Sequence, residues 1–213
     1  MIMMATVIAA FGYKACTDPT FVPPEGPPFS CKVTDFFTIS DIMGVAPWNK
    51  LYAIMMTIYS FSNLAEIRCW DDRLSSFVSA QARNVLWFGT ILGMVSGPMI
   101  GFYDCYFDYP WHQFSTNLFV VGQLLYIYPI VYILSSNKNQ FKAAAHPVID
   151  GMVTLLIFVT LDGAFIYLFP GMLDKYIDIG ALGEWFAFYS DFYIRYQSTK
   201  VISYMLEVTR KDE

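Results

Sequence analysis

Along the chain, apolar residues collect into long runs separated by short polar clusters, with little of the strict alternation that marks strands. Five windows of mainly apolar residues stand out, at about 48–68, 84–103, 113–134, 148–169 and 180–197, the last continuing as a helix to about 206. A helix needs roughly 20 such residues to cross the hydrocarbon of a bilayer. The first residues, 1–13, form a shorter apolar run. It has the apolar core of a signal peptide without a positive flank. We read it as a short first helix, about 20 Å long, that rests against its neighbours or lies where the bilayer thins. The pattern therefore predicts an all-α fold, one polytopic transmembrane bundle of about six helices over residues 1–213.

Prolines and glycines punctuate these runs. Pro47 and Pro147 suit first-turn positions, where the missing N–H costs nothing, and Phe169-Pro170-Gly171 closes the fifth run. Pro129 falls inside the fourth run and predicts a kink there. No internal repeat is evident.

Composition points the same way. Of 213 residues, 56% are hydrophobic and 15% charged, and the mean hydropathy is +0.43, which is more apolar than a soluble domain. The net charge of -5 and the lack of a Lys/Arg block argue against nucleic acid, whose phosphates demand clustered cations. With the N-terminus on the cytosolic or matrix side, Arg68, Arg73, Arg83, Lys138, Lys142, Arg195, Lys200, Arg210 and Lys211 collect inside, against Lys14, Lys32, Lys50 and Lys175 outside. That division follows the positive-inside rule. Indole rings prefer the headgroup level, and Trp48, Trp111 and Trp185 fall at outer ends of runs, Trp70 and Trp87 near inner ends.

The third run holds Gly89, Gly93, Gly97 and Gly101 at a constant spacing of four. That spacing puts all four on one helical face, a groove where another backbone can approach closely in lipid. The partner is a helix of the same chain, a second copy or a foreign subunit.

Carboxylates inside membrane spans are costly, so Asp162, Glu184 and Asp191 are candidates for function. Asp191 and Arg195, four apart, are expected to pair near the inner end of the last span. Glu184, Asp162, His112 and Asp104 could line one outer polar pocket, suited to a lipid headgroup, a proton relay or acid/base work. The alternative is a hydrogen-bond network that locks helices together. His112 and His146 fall at opposite ends of spans, and no ligand spacing points to zinc or haem, so no metal or cofactor is expected. Cys69 and Cys105 lie on opposite sides. Cys16 and Cys31 share the first loop and could form a disulfide if that side is oxidising, worth roughly 3 kcal/mol. No phosphate loop, nucleophile elbow or catalytic triad order appears.

The string Phe36-Phe37-Thr38-Ile39-Ser40-Asp41-Ile42-Met43-Gly44-Val45-Ala46-Pro47, leading directly into a span, resembles the first-loop signature of the Frag/DRAM/Sfk family. Tyr109-Pro110-Trp111-His112 resembles that family's His at the start of its fourth span, and Gly183-Glu184-Trp185 the Glu-Trp that opens its last. The likeness covers roughly residues 33–206. Ala46 departs from the usual pair of prolines, the first span is shorter than the family's, and the tail is minimal. The resemblance implies a six-span fold and roles close to lipids: autophagy modulation at lysosomes, remodelling of GPI-anchor lipids, or regulation of phosphoinositide kinases. It implies an endomembrane or plasma-membrane location, with the mitochondrial inner membrane as the alternative.

These readings favour a non-enzymatic membrane protein that packs with lipids and other membrane subunits. It would serve as a scaffold, a lipid-associated modulator or an accessory subunit of a larger complex, such as an organellar respiratory assembly. The alternative is a lipid-remodelling enzyme with His112 and Glu184 as its acid/base pair. A transporter would call for inverted repeats or broken helices, to which only Pro129 hints.

Overall fold

A computed structural model of the chain describes residues 10, 14, 39–40, 48–74, 79–103, 108–136, 138–163 and 173–211. The described residues form five long helices and no strand: α1 (Trp48–Leu74), α2 (Ala80–Phe102), α3 (Tyr109–Ser136), α4 (Lys138–Gly163) and α5 (Leu173–Lys211). Ala10, Lys14, Ile39 and Ser40 are also helical, and the rest of the expected first helix lies outside the described residues.

Local chemistry sets the ends. α2 begins four residues before the expected start because Ser79 caps it, its hydroxyl accepting from the Ala82 amide at 3.3 Å. It stops where the Tyr103 amide turns back to the Met99 carbonyl at 2.9 Å. Pro147 does not open α4: the helix begins at Lys138, and Pro147 lies inside it. The run Ala143-Ala144-Ala145 just before it is the strongest helix-forming composition available, and it carries the helix across the lost amide. α3 likewise runs on through Pro129. At 39 residues α5 is the longest element, about 58 Å from end to end.

α1, α2 and α3 pack closely side by side, α4 and α5 form a second close pair, and the contact between these two groups is thinner. Glycine sets the first group. Gly101 lies against the backbone of Asn49 and Ala53 in α1, and Gly89 against the backbone of Gly122 and Tyr126 in α3. These contacts make α2 antiparallel to both neighbours. In the second group Gly151 abuts Ile194, and the Phe158 and Phe186 rings stack at 4.6 Å.

Two apolar clusters fill the interior. One, towards the Leu74 end, gathers Ile67, Trp70, Leu86, Tyr126, Ile130 and Ile194; the other, towards the Trp48 end, gathers Tyr52, Met55, Met56, Ile100 and Phe192. Between them lies a layer of charged and amide side chains. The outer faces carry the reverse chemistry: Ile54, Ile58 and Phe61 on α1, Phe88, Ile91 and Val95 on α2, Phe114, Val121 and Tyr128 on α3, Val153 and Ile157 on α4, and Phe186 and Tyr193 on α5 are all exposed.

α2 and α3 are long and apolar enough to cross a bilayer, a modest indication of a membrane, and α4 holds a shorter apolar stretch, His146–Thr160. Among the described residues, the other three of the five expected windows fall short of that standard. In α1 the cause is its tyrosines, serines, Asn63, Glu66 and Arg68, and in α5 it is Glu184, Asp191 and Arg195.

Candidate functional site

Near the Trp48 end, residues from three distant parts of the chain meet. Glu184 of α5 accepts the Ser40 hydroxyl at 2.6 Å on one oxygen and the Ile39 amide at 3.0 Å on the other. His112, in the first turn of α3 and only 3% exposed, places Nε2 3.3 Å from the Ser40 Oγ. Its Nδ1 lies 2.8 Å from the Tyr103 carbonyl and 3.3 Å from that of Ile100. A carbonyl oxygen can only accept, so Nδ1 carries a proton. Ser40 has a single hydroxyl proton to place between Glu184 and Nε2. Two arrangements satisfy all three groups: imidazolium with carboxylate, or neutral imidazole with carboxylic acid. They interconvert by passing one proton through the Ser40 oxygen, with no change in net charge.

The second constellation lies at mid-depth in the bundle. Arg195 of α5 is 6% exposed, and its guanidinium donates to the Gln123 Oε1 of α3. It faces Glu66 of α1 at 3.8 Å and Asp191 at 3.6 Å, and stands 4.1 Å from the Tyr126 ring centroid and 5.1 Å from that of Tyr59. Tyr59 donates to the Asp191 Oδ2 at 2.5 Å, and Trp70 to the Glu66 Oε1 at 3.4 Å. Two carboxylates thus flank one guanidinium where water is scarce, a costly arrangement that survives only while every partner remains.

A cavity of about 470 Å³ connects the two constellations, within the usual size of a ligand pocket. Thr116, Phe119 and Val120 of α3 form one wall, Leu155 and Val159 of α4 a second, and Ala187 and Phe188 of α5 a third. Ser40 and Glu184 stand at one end, and Gln123 and Asp191 at the other.

The structure brings some predicted residues together and not others. His112 and Glu184 share one site, joined by Ser40. The side chain of Asp162, in the last turn of α4, and residues Asp104, Cys16 and Cys31 lie outside the described residues, so the four-residue pocket is present here as two. Asp191 and Arg195 pair as expected, at 3.6 Å. Trp70 is no interfacial anchor: it is fully buried against Glu66. The glycine face packs within the chain, with Gly93 against the Gln123 side chain and Gly97 against Met56 and Phe119.

Ser40, Tyr59, Glu66 and Gln123 were absent from the expected set. Ser40 belongs to the very string that carries the family resemblance, and Gln123 is an amide in the middle of the most apolar run, which is itself a signal. Cys69 is exposed, and no cluster of His, Cys, Asp and Glu able to hold a metal occurs among the described residues. Comparison with protein-family models, curated proteins and solved structures finds no match.

Proposed function

We propose that the chain is a polytopic membrane protein, of up to six spans, that holds an amphiphilic lipid in the cavity between its two helical groups. It acts as a lipid-associated modulator beside other membrane subunits. The observation that carries this reading is the inverted distribution of side chains. Glu66, Gln123, Asp191 and Arg195 are turned inward, while Phe61 and Phe88, at 65% and 60% exposure, and their apolar neighbours face outward. Hydrocarbon is the solvent that favours both choices. A cavity with apolar walls and polar ends then suits a molecule of the same two characters.

The N-terminus lies on the cytosolic or matrix side by the count of cations, in an endomembrane or, alternatively, the mitochondrial inner membrane. Membership of the Frag/DRAM/Sfk family belongs to the same proposal. Its support is that Ser40, His112 and Glu184, one from each of the three resembling strings, meet at one site.

The test is extraction in mild detergent followed by native mass spectrometry and lipid analysis. A defined lipid retained by the native chain, and lost when Ala187→Phe fills the cavity, supports the reading. A monodisperse, lipid-free native chain that is unaffected by the substitution refutes it.

The hydrogen-bonded path from Glu184 through Ser40 to His112 favours a second reading, acid/base remodelling of a lipid at that end of the cavity. Membrane lipid composition that is unchanged when His112→Gln and Glu184→Gln chains accumulate normally would exclude it.

A further inference from the structure

One hydrogen-bond donor on the cavity wall has no acceptor. Tyr52 of α1 is 3% exposed and lines the cavity, and its hydroxyl makes no hydrogen bond among the described residues. The unpartnered hydroxyls of Ser115 and Ser198 are sealed in the packing, whereas that of Tyr52 keeps accessible surface. A phenol buried without an acceptor is costly, and a ligand atom that accepts from it removes the cost. The cavity also opens sideways, since Asn117 and Val121 of α3 both line it and are exposed. α3 is one of the two helices apolar and long enough to cross a bilayer, so the opening faces hydrocarbon. Gly97 lies against both Met56 and Phe119, which sets these two at one level of the parallel helices α1 and α3. Tyr52 lies about one turn before the first and Thr116 about one turn before the second, so the phenol is level with the opening. There the Gln113 amide donates to the Asn117 Oδ1 at 3.3 Å. The charged residues that line the cavity are Glu184 and Asp191, with no Lys or Arg among them.

From this geometry we infer that the cavity takes a neutral single-chain acyl ester, of the monoacylglycerol class, from the surrounding bilayer. Tyr52 donates its hydroxyl proton to the ester carbonyl. The glycerol hydroxyls stay at the opening beside Gln113 and Asn117, and the acyl chain runs along Leu155 and Phe188. An anionic head would meet acidic residues and no cation on the cavity wall, so it is disfavoured. An ether of the same chain and head fits the space but brings no carbonyl to the phenol. The inference rests on the lipid-holding reading above and narrows its ligand to one chemical class.

The test uses the full chain in neutral maltoside micelles. The thermal midpoint is followed against rising mole fractions of 1-dodecanoylglycerol, its ether analogue 1-O-dodecylglycerol, and 1-dodecanoylglycerol 3-phosphate, and converted to apparent affinities. The neutral ester is expected to bind about fivefold more tightly than the ether, as one added hydrogen bond requires, and the phosphate most weakly. Tyr52→Phe breaks no hydrogen bond within the described residues and is expected to fold. It should reduce the ester's advantage over the ether to about twofold or less, while Ala187→Phe, which fills the cavity, weakens all three probes. Equal affinity for ester and ether in the native chain, or an ester preference that survives Tyr52→Phe, overturns the carbonyl recognition and leaves the cavity reading standing. A phosphate that binds as tightly as the neutral ester overturns the choice of a neutral head. Probe binding that ignores Ala187→Phe overturns the cavity reading itself. Should Tyr52→Phe fail to accumulate, the comparison of probes on the native chain decides alone.

Discussion

Replacing the four glycines of α2 by alanine, one at a time, should produce unequal losses, because each added methyl meets a different neighbour. At Gly89 the new Cβ would stand 2.6 Å from the Tyr126 amide nitrogen and 2.8 Å from the Gly122 carbonyl oxygen. Ordinary contact starts near 3.4 Å, so α2 and α3 must part by about 0.8 Å, the difference between 3.4 and 2.6 Å. The obstacle is backbone and cannot rotate away. Gly101 is similar, 2.8 Å from the Ala53 amide nitrogen and the Asn49 carbonyl oxygen. At Gly97 the nearest atom, at 3.0 Å, is the terminal methyl of Met56, which can swing aside. Overpacking of the first kind costs about 1–3 kcal/mol. At about 2 kcal/mol, a chain of this size loses about 4–8 °C in Tm. Gly97→Ala should stay within about 1 kcal/mol of the native chain, since alanine also removes glycine's entropic handicap in a helix. Thermal unfolding of the purified variants in one detergent measures the order. The reasoning fails if Gly97→Ala falls as far as Gly89→Ala, or if Gly89→Ala leaves Tm where it was.

Three further outcomes follow from the polar groups. Arg195→Met strands Glu66 and Asp191 and should cost about 3–5 kcal/mol, whereas Glu66→Gln, Asp191→Asn and Arg195→Met combined should recover most of that loss, read as Tm and yield in detergent. Glu184→Ala removes the acceptor of the Ile39 amide and the Ser40 hydroxyl. Hydrogen exchange at Ile39 should quicken about tenfold or more, and an unchanged rate would mean that the contact does not hold the segment. In a variant whose only cysteine is the exposed Cys69, a membrane-impermeant maleimide should label the protein from the cytosolic or matrix side alone; labelling from the other side reverses the orientation.

The helices were legible because each is an apolar run long enough to dominate its own surroundings. Their ends were less so, since Ser79 capping α2 and the alanine triplet ahead of Pro147 act within one turn and leave hydropathy almost unchanged. The glycine face could be placed on α2 by spacing alone, but its partners became visible only when Asn49 and Gly122 were seen against it. For the site, Glu184 and His112 stood out as isolated polar residues beside apolar runs. Ser40 did not, because a serine ahead of a helix is an ordinary residue until the fold sets it between an acid and an imidazole. Glu66 hid among other polar residues of α1, and its meaning depends on Arg195, 129 positions further on, the difference of the two numbers.

That separation has a consequence for biosynthesis. A nascent chain that has released α1, α2 and α3 already has its glycine contacts and can assemble that group backbone to backbone. Glu66 and Gln123 are then in place with no guanidinium to meet them, and they stay so until α5 leaves the ribosome. A polypeptide truncated before residue 173 would therefore carry Glu66 in its interior without the guanidinium that faces it at 3.8 Å in the full chain. Arrival of α5 brings Arg195 to Glu66 and Gln123, so the interior closes only once that helix is in place.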